Sequence, residues 1–421
     1  MRPIQNYYRR LQSFSRNARL YLLFTFIYGV NFSIYFLFFN LYILSLGYEP
    51  SFLGLLVALP SIVVTIVAIP AGFLGDRIGY KRALLLGMIL MLVSIAGIVC
   101  FHKPAGLILF GILFGLGNSL VWVINAPFMA ANSSEEERTH LFSVQFAMNT
   151  FSGFFGFLIG GSLPVLFANF LGVEAEGSMA YQATMLTCVG LILIAILPLL
   201  TIRAQDGRVG ERLRLKSAFQ RPTLLTKLLL PQLIISFGAG ILIPFLNVFF
   251  KQRFAIPDTL LGTIFAGQSI AIALATLAGP PLAERLGKIR AVVFTQLVSI
   301  PFLLLLGYSS FFTLAAVGFL VRAGLMNMGS PLYLAFAMEQ VEEKRRAAVN
   351  GLLTMSWSSG WAMSNWVSGQ LQQGPGFGII FAITCTCYLF VSVLIYLFFG
   401  GIDRPRSSLR KEEIKSEYRW E

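Results

Sequence analysis

Charge is what this sequence has least of. Only 12% of its 421 residues are Asp, Glu, Lys or Arg, whereas 56% are hydrophobic and 14% aromatic. That is too little charge to cover the surface of an ordinary soluble domain. Acids are scarcer than bases, 19 against 32, for a formal net charge of +13. An excess of that sign suits nucleic acid only when the basic residues share one water-facing patch. Here they are scattered over short connections between apolar runs, so no nucleic-acid partner is expected. Cysteines number four and histidines two. Cys100 and Cys188 are isolated, and Cys385 and Cys387 point to different sides of a helix, so neither a disulfide nor a metal site is expected. There is no nucleotide-binding loop and no spacing of a catalytic triad. ATP-driven work, enzymatic chemistry and a bound cofactor are therefore not expected.

What the sequence does have is long apolar runs. Taking runs of roughly 17 to 27 residues as membrane spans, helices are predicted near 20–46, 52–72, 83–101, 105–131, 140–170 and 180–202, and again near 224–250, 259–282, 291–308, 312–338, 347–371 and 377–400. The expected fold is an all-α membrane protein of twelve transmembrane helices. Residues 1–202 form a first six-helix bundle, 203–223 a basic linker, 224–400 a second bundle and 401–421 a charged tail. The first span follows Arg2, Arg9, Arg10, Arg16 and Arg19 and is too long for a cleaved signal peptide. Placing every Lys and Arg tests the orientation. The N-terminus, the even-numbered loops, the linker with the adjoining Lys227, and the tail hold 28 of the 32, and only Lys103, Lys251, Arg253 and Arg322 fall elsewhere. Cytoplasmic loops carry such an excess, so both termini are predicted in the cytoplasm of a bacterial-type plasma membrane. The chain is expected to act as a monomer.

The two halves repeat. Asp76, Arg77, Ile78 and Gly79 return as Glu284, Arg285, Leu286 and Gly287, an offset of 208 that also relates Gly54 to Gly262, Arg138 to Arg346 and Gly161 to Gly369. Asn40 corresponds to Asn247 at 207. A constant offset across an even number of spans implies a parallel repeat, two pseudo-symmetric six-helix bundles related by an axis along the membrane normal.

The stretch Gly72–Arg82, GFLGDRIGYKR, separates two of the apolar runs. Asp76, Arg77, Lys81 and Arg82 cannot lie in hydrocarbon, so this turn is placed at a membrane face. Its glycine, Asp-Arg pair and basic pair resemble, in that order, the loop between helices 2 and 3 of the major facilitator superfamily. The resemblance covers essentially the whole chain. It implies secondary transport by alternating access, with Gly72, Asp76, Arg77, Gly79, Arg138, Glu284, Arg285, Gly287 and Arg346 in gating roles. Asp76 would accept hydrogen bonds at the start of the eleventh helix, preceded by Lys344, Arg345 and Arg346, and Glu284 would do the same near Arg138 and His140 at the start of the fifth. For Lys81, Arg82, Lys288 and Arg290 a plain topological anchor explains the residue equally well. Gly156–Gly161 resembles the antiporter motif of the drug-exporter branch, with Phe157 in place of its proline, although Gly111 stands where those exporters carry an arginine.

In that family helices 1, 4, 7 and 10 usually line the path. Tyr28, Asn31 and Tyr35 fall on one face of the first span and Asn118, Trp122 and Asn125 on one face of the fourth. Gln232 and Ser236 mark the seventh, Arg322, Met326 and Tyr333 the tenth, and Trp357, Trp361 and Asn365 the eleventh. Amides facing lipid would leave costly unpaired groups, so these stripes face protein or water, either as substrate contacts or as interhelical glue. Arg322 lies ten residues into its span, ~15 Å deep at ~1.5 Å per residue, near the middle of the bilayer. A charge there is functional by default, as an anchor for an anionic or carbonyl-bearing substrate or as a brace for broken-helix carbonyls. No carboxylate is expected at that depth, and His102 and His140 sit at membrane faces, so proton coupling has no evident carrier.

The reading is a transporter of a small organic solute, amphipathic or anionic, leaning to efflux, with the lipid bilayer as its other partner. A lipid or lysolipid flippase of the same fold is the alternative, favoured by the 39 Phe residues. A non-transporting receptor or scaffold is a weaker one, because the second copy of the loop motif is intact. Asp76→Asn is expected to reduce transport while leaving the protein in the membrane. Unchanged flux together with unchanged thiol accessibility on the cytoplasmic face removes Asp76 from the gate.

Overall fold

The computed structural model describes residues 14–203 and 222–402. Arg2, Arg9 and Arg10, nearly all of the linker and nearly all of the tail lie outside the described residues, as does the side chain of Lys344. Regular structure among the described residues is helical throughout. This follows from the composition, because a chain crossing hydrocarbon must satisfy each backbone N–H and C=O within itself.

The first half runs α1 (Arg16–Ser45), α2 (Pro50–Ile78), α3 (Tyr80–Cys100), α4 (Pro104–Ala131), α5 (Glu135–Leu171) and α6 (Ser178–Thr201). The second runs α7 (Pro222–Gly240), a 3₁₀ turn (Ile243–Phe245), α8 (Leu246–Phe254), α9 (Asp258–Leu286), α10 (Lys288–Tyr308), α11 (Phe312–Glu339), α12 (Glu343–Gln373) and α13 (Phe377–Phe399). Among the described residues, eleven segments are long and apolar enough to cross a membrane, with α7 and α8 together forming one. The remaining expected span, the eleventh, is α12, which has 31 residues but is less apolar, carrying Ser356, Ser364, Asn365 and Ser368.

Two details differ from the sequence expectation. The charged stretch after Gly72 is helix almost throughout. α2 continues through Asp76 and Arg77 to Ile78, and the turn is Gly79 alone, at φ 88°, before α3 begins. Gly287 does the same between α9 and α10 at φ 91°. Only glycine enters that backbone region without strain, which is why the repeat keeps it. The seventh span, expected as one helix, is broken between Gly240 and Leu246. Pro244 lacks an N–H to continue the ladder, and Ser368 of α12 donates to the freed Ile241 carbonyl at 2.6 Å. The capping box at Ser134 and Glu137 is formed as the sequence suggests.

The chain divides into two compact units, residues 1–212 with 245–266, and residues 213–244 with 267–421. Within the first, α1 packs on α5 and α6, and α3 on α4 and α6. Within the second, the corresponding helices pair in the same way: α7 on α12 and α13, α10 on α11 and α13. Lipid tails are as apolar as leucine, so these contacts rest on close fit, and small residues supply it. At the α3–α4 crossing, Gly87 and Gly117 face each other. A Cβ added at Gly117 would lie 2.5 Å from the Gly87 carbonyl oxygen and 2.7 Å from Met91 Cγ. Gly117→Val is therefore expected to destabilise the protein by ~1–3 kcal/mol through overpacking, read as a lower Tm in detergent. An unchanged Tm shows that the crossing yields.

Candidate functional site

In the first unit an aromatic and amide cluster joins three helices. Tyr28 of α1 donates through its hydroxyl to Asn118 Oδ1 of α4 at 3.3 Å and lies 3.9 Å from Met91 Sδ. About two helical turns away on each helix, Tyr21 donates to Asn125 Oδ1 at 2.8 Å, and Gln145 of α5 donates to the same oxygen. Trp122 stands between the two asparagines on α4 with 65% of its surface exposed. The cluster is neutral, hydrogen-bonded and flanked by rings, with Tyr28 stacked on Phe24 at 5.6 Å. It offers hydroxyl and amide groups together with a flat apolar surface, the combination that orients an amphipathic molecule.

Asn31 and Tyr35 are turned elsewhere. Asn31 is buried and donates to the Cys188 carbonyl at 2.7 Å, tying α1 to α6. Tyr35 stacks on Phe114 at 4.6 Å and on Phe39 at 4.9 Å. Tyr21 and Gln145 were not among the expected site residues. Gln145 lies on the fifth span, which a search for stripes on helices 1, 4, 7 and 10 passes over, and Tyr21 sits so close to the start of α1 that it reads as an interfacial ring.

In the second unit Arg322 of α11 is the largest fully buried side chain, 1% exposed. Its Nη2 donates to the hydroxyl of Tyr388 on α13, and its guanidinium carbon lies 5.6 Å from the centre of that ring. Its Nε has no hydrogen-bond partner among the described residues. No ion pair to Arg322 occurs among them either, so a formal charge is held by one hydroxyl and a ring face. At the equivalent place in the first half stands Phe114, which fills it with a stacked ring. Near Arg322, Met326 Sδ accepts from Ser299 at 3.2 Å. Tyr333 donates to the Leu228 carbonyl at 2.7 Å, joining α11 to α7. On α12, Trp357 and Trp361 stack at 5.7 Å, and the Trp357 carbonyl accepts from Ser236. Asn365 is fully buried.

The expected gating residues fall at helix ends. Asp76 accepts from Tyr80 at 3.2 Å. Arg77, Glu284 and Arg285 are exposed. Arg138 reaches back to the Ala130 carbonyl at 3.5 Å and Arg346 to the Met338 carbonyl at 2.9 Å. Each arginine spans the same eight residues, so the two copies cap the last turns of α4 and α11 alike, where a cation complements the helix dipole. Lys81 donates to the Ile202 carbonyl at 2.6 Å, at the end of α6, and Lys288 pairs with Glu339. A Cβ added at Gly72 would lie 3.6 Å from Val123 Cγ1 of α4, an ordinary contact distance.

Two repeated helical bundles with polar clusters inside define a polytopic helical protein. The match to the family model of the Major Facilitator Superfamily spans residues 21–237 and 228–419, and the chain belongs to that family. A protein described as a probable nitrate transporter, NarT, from Staphylococcus haemolyticus (strain JCSC1435) is 24% identical over 316 residues, 73% of this chain and 76% of that one. Among solved structures, the nucleoside transporter NupG superposes with a TM-score of 0.71 at 12% identity, covering 92% of this chain and 99% of its own. A D-xylose–proton symporter gives 0.71 at 14% identity, covering 90% and 97%. At such identities these structures establish the fold.

Removing the Tyr388 hydroxyl strands the guanidinium, whereas removing the guanidinium relieves it. Tyr388→Phe is expected to cost ~1–3 kcal/mol and to lower Tm further than Arg322→Met does, with the double variant recovering most of the loss. Equal, additive losses from the two changes show that the pair is not coupled.

Proposed function

We propose that this chain is a secondary transporter of the drug-exporter-like branch, moving an amphipathic or anionic organic compound outward by alternating access with both termini in the cytoplasm. The observation that carries the substrate class is Arg322, a buried cation near the middle of its span with an unpartnered Nε and no carboxylate bonded to it. Burying such a charge is costly unless something anionic shares it for part of the cycle. The relative described as a nitrate transporter supports an anion. In this reading Tyr388 holds the guanidinium while the substrate is absent. Tyr28, Asn118, Trp122 and Asn125 supply the amphipathic surface on the first unit, and Met326, Tyr333, Trp357, Trp361 and Asn365 line the second. Asn31 and Tyr35 act as the packing behind that surface. Export rests on the Gly156–Gly161 stretch, whose glycines bring α5 close to α1: a Cβ at Gly156 would lie 2.8 Å from the Val30 carbonyl oxygen.

Binding to the native state raises Tm by mass action, by the equivalent of ~2.7 kcal/mol at a hundredfold excess over Kd. A panel of organic anions, neutral amphiphiles, sugars and organic cations is tested on the purified protein and on Arg322→Gln. Organic anions are expected to raise Tm in the parent and not in the variant. A panel in which only cations or sugars shift the parent, or in which anions shift both proteins equally, overturns the substrate class.

A further inference from the structure

Asn118, Trp122 and Asn125 stand on one face of α4, with Asn118 halfway along the 28-residue helix. Seven residues make two turns less about 20°, so the two asparagines lie ~10.5 Å apart along the axis with the indole between them. What each amide offers outward depends on what its other end is bonded to. The carbonyl oxygen of Asn118 accepts from Tyr28, and that of Asn125 accepts from both Tyr21 and Gln145. A carbonyl oxygen has two lone pairs, so Asn125 Oδ1 is saturated.

With the oxygens held by α1 and α5, the NH₂ groups are the free ends of the amides. Neither Nδ2 has a hydrogen-bond partner among the described residues, and neither is among the polar atoms that are buried without one. Trp122, 65% exposed, adds its indole N–H, a donor that cannot accept. Gln145 is only 6% exposed, so its own oxygen adds little to this surface. Interhelical packing accounts for the bonded oxygens and leaves the donors unexplained. At the middle of a membrane-spanning helix an unpaired donor is costly, so these groups face something that accepts hydrogen bonds.

We propose that this face binds a flat aromatic molecule with an oxygen acceptor at each end, its ring on Trp122 and its two oxygens on the amide nitrogens of Asn118 and Asn125. That this molecule is the cargo rests on the transport reading; that the face selects acceptors does not. Carboxylates suit the donors best, because N–H bonds to an ionised acceptor are shorter and stronger than bonds to a neutral carbonyl. An ammonium group at either end meets another donor and loses its water without compensation. The indole supplies a flat surface for offset stacking.

Binding is measured by titration calorimetry on the full-length protein in nanodiscs with four biphenyls. One carries a carboxylate at both ends, one a carboxylate at a single end, one a methyl ketone at both ends and one an aminomethyl group at both ends. The dicarboxylate is expected to bind about tenfold tighter than the one-ended acid, the gain from one further charge-assisted bond. The diketone is expected to bind and the diamine not. Failure of the dicarboxylate to bind, equal affinity of the two acids, or binding of the diamine overturns the assignment. Asn118→Leu removes one NH₂ group and is expected to bring the dicarboxylate down to the affinity of the one-ended acid. Trp122→Leu, at an exposed position, is expected to weaken both acids about tenfold. If Asn118→Leu lowers the Tm of the ligand-free protein, Trp122→Leu decides, and an unchanged dicarboxylate affinity there overturns the assignment. The titrations are repeated in Arg322→Gln. Loss of the dicarboxylate in Trp122→Leu with retention in Arg322→Gln supports this face and removes the Arg322 anchor. Retention in Trp122→Leu with loss in Arg322→Gln supports the anchor and overturns this face.

Discussion

No water is available inside a bilayer to complete a hydrogen bond, and most of this molecule can be understood from how it meets that condition. Helices satisfy their own backbone along their length, so the exposed problem lies where they stop or break. At those points side chains reach carbonyls. Ser368 serves Ile241 at the break in the seventh span and Lys81 serves Ile202 at the end of α6, while within helices Tyr333 serves Leu228 and Asn31 serves Cys188. Arg138 and Arg346 serve the ends of α4 and α11 in the two halves. Many polar residues that look like candidates for a transport path in the sequence are therefore already committed to the backbone of a neighbouring helix.

The repeat sets the frame within which the halves have diverged. The same helix pairs pack in both units, and the glycine turns at Gly79 and Gly287 have nearly identical backbone angles. Against that background the departures stand out. α1 is continuous where the seventh span is broken, and Phe114 packs on Tyr35 where its counterpart Arg322 lies over Tyr388. Among the described residues, one half holds a neutral aromatic and amide cluster and the other a buried cation.

Membership in the superfamily, together with relatives described as carrying nitrate, nucleosides and xylose, fits a fold in which the frame is shared and the lining residues decide the cargo. In the proposed function Tyr28, Asn118, Trp122, Asn125 and Arg322 carry this chain's selectivity. Placement by stripe analysis reached several of them but overlooked Gln145 and Tyr388, which complete the two polar centres from helices outside the usual lining set.

The sequence by itself determined the helical class, the repeat and the place of Arg322 along its span, because hydropathy, offset and counting along a helix are local or periodic properties that survive without coordinates. It also marked Gly79 and Gly287, since only glycine suits their backbone angles, although it drew the turn too wide: a helix can carry Asp76 and Arg77 to its last turn at a membrane face. Tertiary structure alone decided which way each stripe faces. Asn31 shares a face of α1 with Tyr28 and Tyr35 yet donates to α6, whereas they meet α4 at Asn118 and Phe114, because three residues along a helix turn a side chain by about 300°, enough to reach the next neighbour. It alone brought Lys251 to Glu176 and Asp258. Seventy-five residues separate Lys251 from Glu176, and no periodicity in the chain encodes that meeting; it follows from how the segment after the broken helix packs on α1, α5 and α6.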